Sequence, residues 1–140
     1  MDFERLLIKE FEHWKLYLHQ NQAYLGRCYL WAKGENNSSL ASLSDNEWLD
    51  LRHSLFRTKS ALTNLFNPSR FELHQMGNEA PHIHVHFVPR YSKPRNFAGI
   101  VFLDERWPEA PYAPYNKDFK IPDMVLERIK NDIAEKLDKS

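Results

Sequence analysis

Residues 77–90 have the sequence GNEAPHIHVHFVPR, and this stretch guides the interpretation of the rest of the chain. Its centre alternates strictly between histidine and an apolar residue, which is the period of a β-strand whose two faces meet different surroundings. One face would carry the imidazoles of His82, His84 and His86. The other face would carry the apolar side chains of Ile83, Val85 and Phe87, which we expect to be buried. The pattern predicts a strand over 82–88 with three imidazoles in a row, about 6 to 7 Å apart.

Such a row of histidines has three interpretations. An exposed polar face is disfavoured, because three of the seven histidines of the chain fall in strict alternation. Two histidines at i and i+2 on a strand can bind Zn²⁺, but a carboxylate or cysteine usually completes such a site, and the nearest acid is Glu79 in the preceding turn. The third interpretation is a catalytic site without a metal or other cofactor. One imidazole nitrogen donates to a fixed acceptor, which leaves the lone pair of the other nitrogen free to attack phosphorus.

The first part of the chain predicts a helix followed by a β-hairpin. Residues 3–14 indicate a short amphipathic helix, because apolar side chains recur there at helical spacing: Phe3, Leu6, Leu7, Phe11 and Trp14. Leu16 and Leu18 then alternate with polar residues, as in a strand. A second strand is expected from Gly26 to about Lys33, with the polar pair Asn21-Gln22 in the turn between the two strands.

A long helix and two further strands follow a polar loop over residues 34–43. Residues 44–47, Ser-Asp-Asn-Glu, match a capping box and predict a helix that runs to about Phe66 and ends at Asn67-Pro68. Its buried stripe would comprise Trp48, Leu51, Leu55, Leu62 and Leu65. The ranges 71–75 and 83–88 then predict two strands joined by a turn at 77–81.

The last third of the chain combines an irregular segment with a final helix. Residues 89–122 are rich in proline and aromatic residues and predict an extended arm, with one short strand over 100–103. Pro122 can begin a helix over about 122–138, whose buried side would carry Val125, Ile129, Ile133 and Leu137. Helices that flank a mostly antiparallel sheet of about five strands form an α+β domain. A chain of 140 residues suits one such domain over 1–140.

The composition narrows the expected partners and location. Nineteen basic residues balance nineteen acidic residues, so a nucleic-acid polymer is not expected as a partner. A local pocket for one small phosphorylated ligand is compatible with this balance. The one cysteine, Cys28, cannot form an internal disulfide, and its apolar surroundings in the sequence suit core packing. We find no apolar run that could cross a membrane and no signal peptide, and we expect a cytoplasmic protein.

The alternating histidines resemble the signature of the histidine triad (HIT) proteins, in which three histidines alternate with apolar residues. The flanks Gly77-Asn78 and Pro89-Arg90 resemble those of the hydrolase branch of that family. Residues 26–30 resemble the family's strand after its nucleotide-contacting turn, and residues 43–47 resemble the start of its helix. The resemblance covers about residues 16–104.

This resemblance implies a fold, an assembly and an activity. The fold would be a sheet with flanking helices, usually doubled into a homodimer. The activity would be cleavage at the α-phosphate of a nucleotide through a covalent nucleotidyl-histidine. By position in the signature, His84 would be the nucleophile, His82 would orient it, and His86 would contact phosphate or the leaving group.

The resemblance also implies contacts outside the three histidines. Asn78 and Gln75 would contact phosphate, and Asn21 or Gln22 would lie near the ribose, although both residues equally suit an ordinary turn. Glu79 occupies a position at which some branches carry a serine that helps to protonate the leaving group, which puts phosphoramidate-type leaving groups in doubt. The segment from Asn96 onward falls in a variable region of the family and would shape specificity.

Two classes of function are compatible with these residues. The first is a hydrolase or nucleotidyl transferase that acts on dinucleoside polyphosphates, nucleoside phosphoramidates or sugar nucleotides. The second is a nucleotide-binding regulatory module with little turnover. All three histidines are present, which favours the enzyme.

Overall fold

The computed structural model describes residues 2–34, 39–76, 82–110 and 116–139. A five-stranded antiparallel sheet has the spatial order β1-β2-β3-β5-β4. Its strands are β1 (Leu7–Glu10), β2 (Trp14–Leu18), β3 (Cys28–Ala32), β4 (Arg70–His74) and β5 (His84–Arg90). Two helices, α1 (Asp45–Phe66) and α2 (Asp123–Asp138), pack against each other and against this sheet. The predicted α+β class, with an antiparallel sheet of about five strands and flanking helices, is confirmed.

The N-terminal segment differs from its predicted structure. Residues 3–14 do not form an amphipathic helix. They form a 3-10 helix over Phe3–Leu6 and then strand β1, which pairs with β2 at the edge of the sheet. In so short a segment the same apolar residues fit the spacing of a helix and of a strand. Pairing with β2 decides between the two, because it satisfies the backbone groups of both strands.

The strand that bears the histidines lies inside the sheet, between β3 and β4. It begins at His84 and runs to Arg90, so His82 stands two residues before it and the strand extends beyond its predicted end. β2 and β3 form the predicted hairpin in an antiparallel pair. Because both edges of β5 are paired, its backbone is held on each side and the orientation of its side chains is set.

Helix α1 confirms the predicted boundaries and corrects its predicted buried stripe. The Ser44 hydroxyl accepts from the Glu47 amide at 3.2 Å, and the Glu47 carboxylate accepts from the Ser44 amide at 2.9 Å, which completes the capping box. Leu51 and Leu62 are buried, and Leu55 and Leu65 are half-buried. Trp48, however, is 43% exposed. The first turn of α1 instead contacts Trp14, whose indole N–H donates to the Glu47 carbonyl at 2.9 Å.

The core lies where the helices meet the sheet. Its members from β5 and the residue before it are Ile83, Val85 and Phe87, all buried as predicted. Helix α2 starts after Pro122, and it buries Ile129, Ile133 and Leu137 as expected, while Val125 is half-buried. Cys28 is fully buried, which confirms its predicted place in the core, and burial raises the pKa of its thiol to about 12.

The arm after β5 contains a small hairpin and is tied to the main sheet. Strands β6 (Arg95–Phe97) and β7 (Ile100–Phe102) form a second, two-stranded antiparallel sheet. The predicted strand over 100–103 is therefore confirmed, and its partner β6 was not predicted.

No helix among the described ranges combines the length and apolar character needed to span a membrane.

Candidate active site

The three histidines share one surface of the sheet, opposite the face that the helices cover. His84 pairs with Trp31 of β3, and His86 pairs with Tyr29. Directly paired residues of antiparallel strands point to the same face. The rings of His84 and His86 lie 5.0 Å apart, edge to face. The structure therefore brings the imidazoles together with two aromatic side chains of the neighbouring strand.

His84 has a defined tautomer. Its Nδ1 lies 3.0 Å from the backbone oxygen of His82. A carbonyl oxygen can only accept a hydrogen bond, so neutral His84 carries its proton on Nδ1. The lone pair of Nε2 is left available for chemistry, which is the arrangement that a nucleophilic imidazole requires.

His82 is held by β3 rather than by β5. Its Nε2 donates a hydrogen bond to the carbonyl of Ala32, at the end of β3. Its ring also stacks on the indole of Trp31, with centroids 4.4 Å apart and planes at 21°. The hydrogen bond and the stack together hold the ring of His82 in place. The backbone carbonyl of His82 in turn orients His84.

His86 is kept neutral by its surroundings. Burial, followed by the positive charge of Arg27 and then by His84 and His74, lowers the pKa of His86 to about 4. Its Nδ1 is buried and has no hydrogen-bond partner within the described residues. At neutral pH the ring can therefore act as a neutral donor or acceptor but not as a cation.

A fourth histidine, His19, belongs to the same group and was not among the predicted site residues. Its ring centroid lies 6.0 Å from that of His86 and 6.2 Å from that of Tyr29. Its Nδ1 accepts from the Asn21 amide at 3.0 Å, so its Nε2 carries the proton when the ring is neutral. The alternation of β2 did place His19 on the polar side of its strand, but the pattern contains nothing about which strands become neighbours.

A pocket of about 630 Å³ opens on this surface. Its walls are Phe3, Glu4, Tyr17, His19, Gln20, Tyr29, Trp31, His84 and His86. Tyr17 and Tyr29 stack at 5.3 Å with planes at 16°, and the Tyr17 hydroxyl donates to the Glu4 carboxylate at 2.7 Å. A mostly aromatic cleft with a few polar groups is typical of sites for small organic ligands.

Asn21 and Gln22, the two residues predicted near the ribose, make hydrogen bonds within and around their own turn. The amide nitrogen of Gln22 donates to the carbonyls of His19 and Arg27 at 2.8 Å each, and its oxygen accepts from the Gly26 amide at 2.7 Å. The side chain of Asn21 donates to the Asn116 carbonyl at 3.0 Å and accepts from the backbone amide of Ala23 at 2.9 Å. Neither residue lines the histidine pocket. These contacts suit an ordinary turn, and a contact of either residue with a ribose stays a prediction.

Of the two predicted phosphate contacts, Gln75 lies within the described residues. Gln75 is half-buried and comes one residue after His74, the residue of β4 that pairs with His86. Asn78 lies outside the described residues, and so does Glu79. Within the described ranges, no group of three or more histidine, cysteine, aspartate or glutamate residues has the arrangement to hold a metal ion.

Fold and site together define a class of protein: an α+β domain whose antiparallel sheet carries helices on one face and a group of imidazoles, beside an aromatic pocket, on the other. No protein-family model matches the sequence, and no curated protein sequence matches it. The structure, in contrast, matches solved structures over nearly the whole chain.

These structures are histidine triad proteins. One from Bradyrhizobium japonicum is similar with a TM-score of 0.78 and 15% identity, over 94% of this chain and 89% of its own. One from Marinobacter aquaeolei has a TM-score of 0.74 and 16% identity, over 99% and 96% of the two chains. The diadenosine triphosphate hydrolase of Plasmodium falciparum has a TM-score of 0.68 and 14% identity, over 98% and 79%. The chain therefore has the histidine-triad fold, which confirms the resemblance at the level of the fold.

Proposed function

We propose that the protein belongs to the HIT family and is a nucleotide hydrolase or nucleotidyl transferase that cleaves at the α-phosphate through a covalent nucleotidyl-His84. The observation that carries this proposal is the hydrogen bond from His84 Nδ1 to the His82 carbonyl, because it leaves the Nε2 lone pair free to attack. The likeness in fold to a diadenosine triphosphate hydrolase supports dinucleoside polyphosphates or related nucleotidyl compounds as the substrate class.

The proposed reaction has two steps: formation of the nucleotidyl-histidine and its hydrolysis. In the first step, Nε2 of His84 bonds to the α-phosphorus, and the leaving-group oxygen departs with the electron pair of its bond to phosphorus. The ring is then an imidazolium, whose Nδ1–H still donates a hydrogen bond to the His82 carbonyl. In the second step, water attacks phosphorus, the electron pair of the N–P bond returns to Nε2, and the proton of the water passes to solvent. In a transferase, an acceptor hydroxyl replaces water.

The neighbouring residues stabilise the charge that builds on the phosphate oxygens. His86 is neutral and half-buried beside His84, and we assign its Nε2 as a donor to a phosphate oxygen. The phosphate contacts of Asn78 and Gln75 are proposed because these residues stand, relative to the three histidines, where HIT proteins have phosphate-contacting residues. No divalent ion enters this scheme, so a chelator is expected to leave turnover unchanged.

The aromatic pocket would hold the nucleoside. Its volume of about 630 Å³ lies within the usual range for small-molecule sites. The half-buried ring of Tyr29, which stacks on the buried ring of Tyr17, offers apolar surface to a base. His84 and His86 line the same pocket, which supports a pose in which the α-phosphate of a bound nucleotide faces the nucleophile.

The deciding experiment is His84→Ala. We expect kcat on diadenosine triphosphate to fall by at least about 10³-fold, while binding of adenosine monophosphate survives because the pocket supplies the affinity separately. Peptide mass spectrometry of trapped wild-type enzyme should find the nucleotidyl group on His84. His53→Ala, which changes an exposed histidine on α1, is the matched control and should retain full activity.

Three results would count against this mechanism. These are unimpaired turnover in His84→Ala, an adduct on another residue such as Lys33, and tight nucleotide binding by a wild-type protein that does not turn over any nucleotidyl compound. The last result would identify a nucleotide-binding regulatory module.

We also propose a homodimer in the cytoplasm. The dimer is proposed from the resemblance to HIT proteins, which are usually homodimers. Sedimentation at micromolar concentration should give about twice the chain mass of 16.7 kDa. A mass near 16.7 kDa would overturn it. The cytoplasmic location is proposed from the sequence alone.

A further inference from the structure

Trp31 presents the flat face of its indole to two of the three histidines. Its ring lies 5.6 Å from that of His84 with planes at 23°, and 4.4 Å from that of His82 with planes at 21°. By contrast, Tyr29 and His86 approach the His84 ring edge-on, each at 78°. The register of β3 against β5, which pairs Trp31 with His84, holds the stack in place.

The orientation matters because an aromatic ring is electrically anisotropic. Its face is negative and its edge is positive, so a cation is stabilised when it lies over the face, and indole is the strongest of the side-chain rings in this respect. His84 is neutral before reaction and becomes a cationic ring once Nε2 is bonded to phosphorus. An interaction that strengthens as this charge develops stabilises the transition state more than the ground state.

We propose that Trp31 is a positioning residue for catalysis, which fixes the rings of His82 and His84 and stabilises the positive charge that His84 acquires when it forms a covalent bond. The inference rests on the proposed function of His84. It adds a residue outside the three histidines to that function, and it assigns to that residue an electrostatic effect as well as a steric one.

The test must separate the charge effect from packing. Trp31→Leu removes both, and it could also disturb the stack that holds His82. Fluorinated tryptophans incorporated at position 31 alone keep the shape of indole while they weaken the negative potential of its face. The same analogues incorporated at Trp48, which is exposed on α1, provide the matched control.

Two rates are measured across this series. The first is single-turnover formation of nucleotidyl-His84 from diadenosine triphosphate. The second is acylation of His84 by diethyl pyrocarbonate, followed by peptide mass spectrometry. In this reaction Nε2 bonds to the carbonyl carbon, ethyl carbonate leaves, and a cationic ring forms before the Nδ1 proton is lost. The second rate reports on the same developing charge without any nucleotide.

We expect both rates to fall stepwise with the number of fluorines at position 31, by about tenfold for the most heavily fluorinated ring, in line with a cation–π interaction. Fluorination at Trp48 should change neither rate. Rates at His84 that do not depend on fluorination at position 31 would overturn the inference. If the acylation series holds but no nucleotidyl-His84 forms in the unmodified protein, the proposed function fails while the coupling of Trp31 to His84 stands.

Discussion

His19 shows how one side chain couples the site to the stability of the protein. Burial, followed by the positive charge of Arg27 and by His86, lowers the pKa of His19 to about 3. The unfolded chain binds a proton at this residue below about pH 6.5, whereas the folded protein does not bind it until near pH 3. Stability from this residue is therefore complete above about pH 6.5 and is lost as the pH falls.

The matched variant is His19→Asn, because the asparagine oxygen can accept the Asn21 amide in place of Nδ1 but does not titrate. Between pH 7.5 and pH 5 we expect the wild-type protein to lose about 2 kcal/mol more unfolding free energy than the variant does. Urea unfolding at the two pH values measures this difference. Equal losses in both proteins would show that His19 is protonated in the folded state.

At the same scale, the sequence predicted that the three histidines share a face, but it did not separate ligand contacts from residues that support a loop. His82, His84 and His86 were found because a local alternation marks them. The role of Gln22 depends on three backbone groups on both sides of its turn, two of which belong to Arg27 and Gly26. No single residue type in a polar turn distinguishes such a support from a ligand contact.

At the scale of the element, strand β5 divides its side chains between chemistry and packing. Its inward face contributes Val85 and Phe87 to the core, and the ring of Phe87 stacks on Phe71 of β4 at 4.9 Å with planes at 6°. The packing of this face fixes the strand, and the strand in turn sets the spacing of the imidazoles on its outward face.

Phe87→Ala is therefore expected to cost about 3 to 5 kcal/mol of unfolding free energy, the usual range for a buried phenylalanine. Phe56→Ala, the same change at a residue of α1 that is 72% exposed, should cost less than about 0.5 kcal/mol. Denaturant titrations of both variants measure the two values. A cost below 1 kcal/mol for Phe87→Ala would mean that this face of β5 is not tightly packed.

Element boundaries followed local signals wherever such signals were strong. The capping box at Ser44 and the end of α1 at Asn67, which adopts a left-handed conformation with φ 48°, lie where the sequence predicts them. The burial of Trp48 was predicted wrongly, because helical spacing identifies the apolar side of a helix but not how far along the helix the core extends.

At the scale of the whole molecule, a buried ionic cluster joins the arm to the sheet. Arg90 at the end of β5 is fully buried and donates to both oxygens of Asp104, at 2.7 and 3.1 Å, and to Glu72 of β4 at 2.8 Å. The Asp104 carboxylate also accepts from the Tyr91 amide at 3.1 Å. Arg90 thus links β5 to β4 through Glu72 and to the arm through Asp104.

Asp104→Ala should destabilise the protein by about 3 to 5 kcal/mol, because it leaves the buried guanidinium of Arg90 short of its main counter-charge. Asp118→Ala, at an exposed position of the same arm, should change stability by less than about 0.5 kcal/mol. Thermal or urea unfolding measures both. Comparable values for the two variants would show that the cluster does not stabilise the attachment of the arm.

Local patterns in the chain were sufficient to predict the strand of histidines with its buried reverse face, both helices, the central hairpin and the α+β class. Each of these depends on residues close together in sequence, whose periodicity and caps act within a few positions. Only the tertiary structure decided four other features: the pairing of β1, the place of His19 beside His86, the stack of Trp31 on two histidines, and the cluster around Arg90. They depend on which strands become neighbours and in which register, and those contacts join residues far apart in the chain, which a local period does not encode.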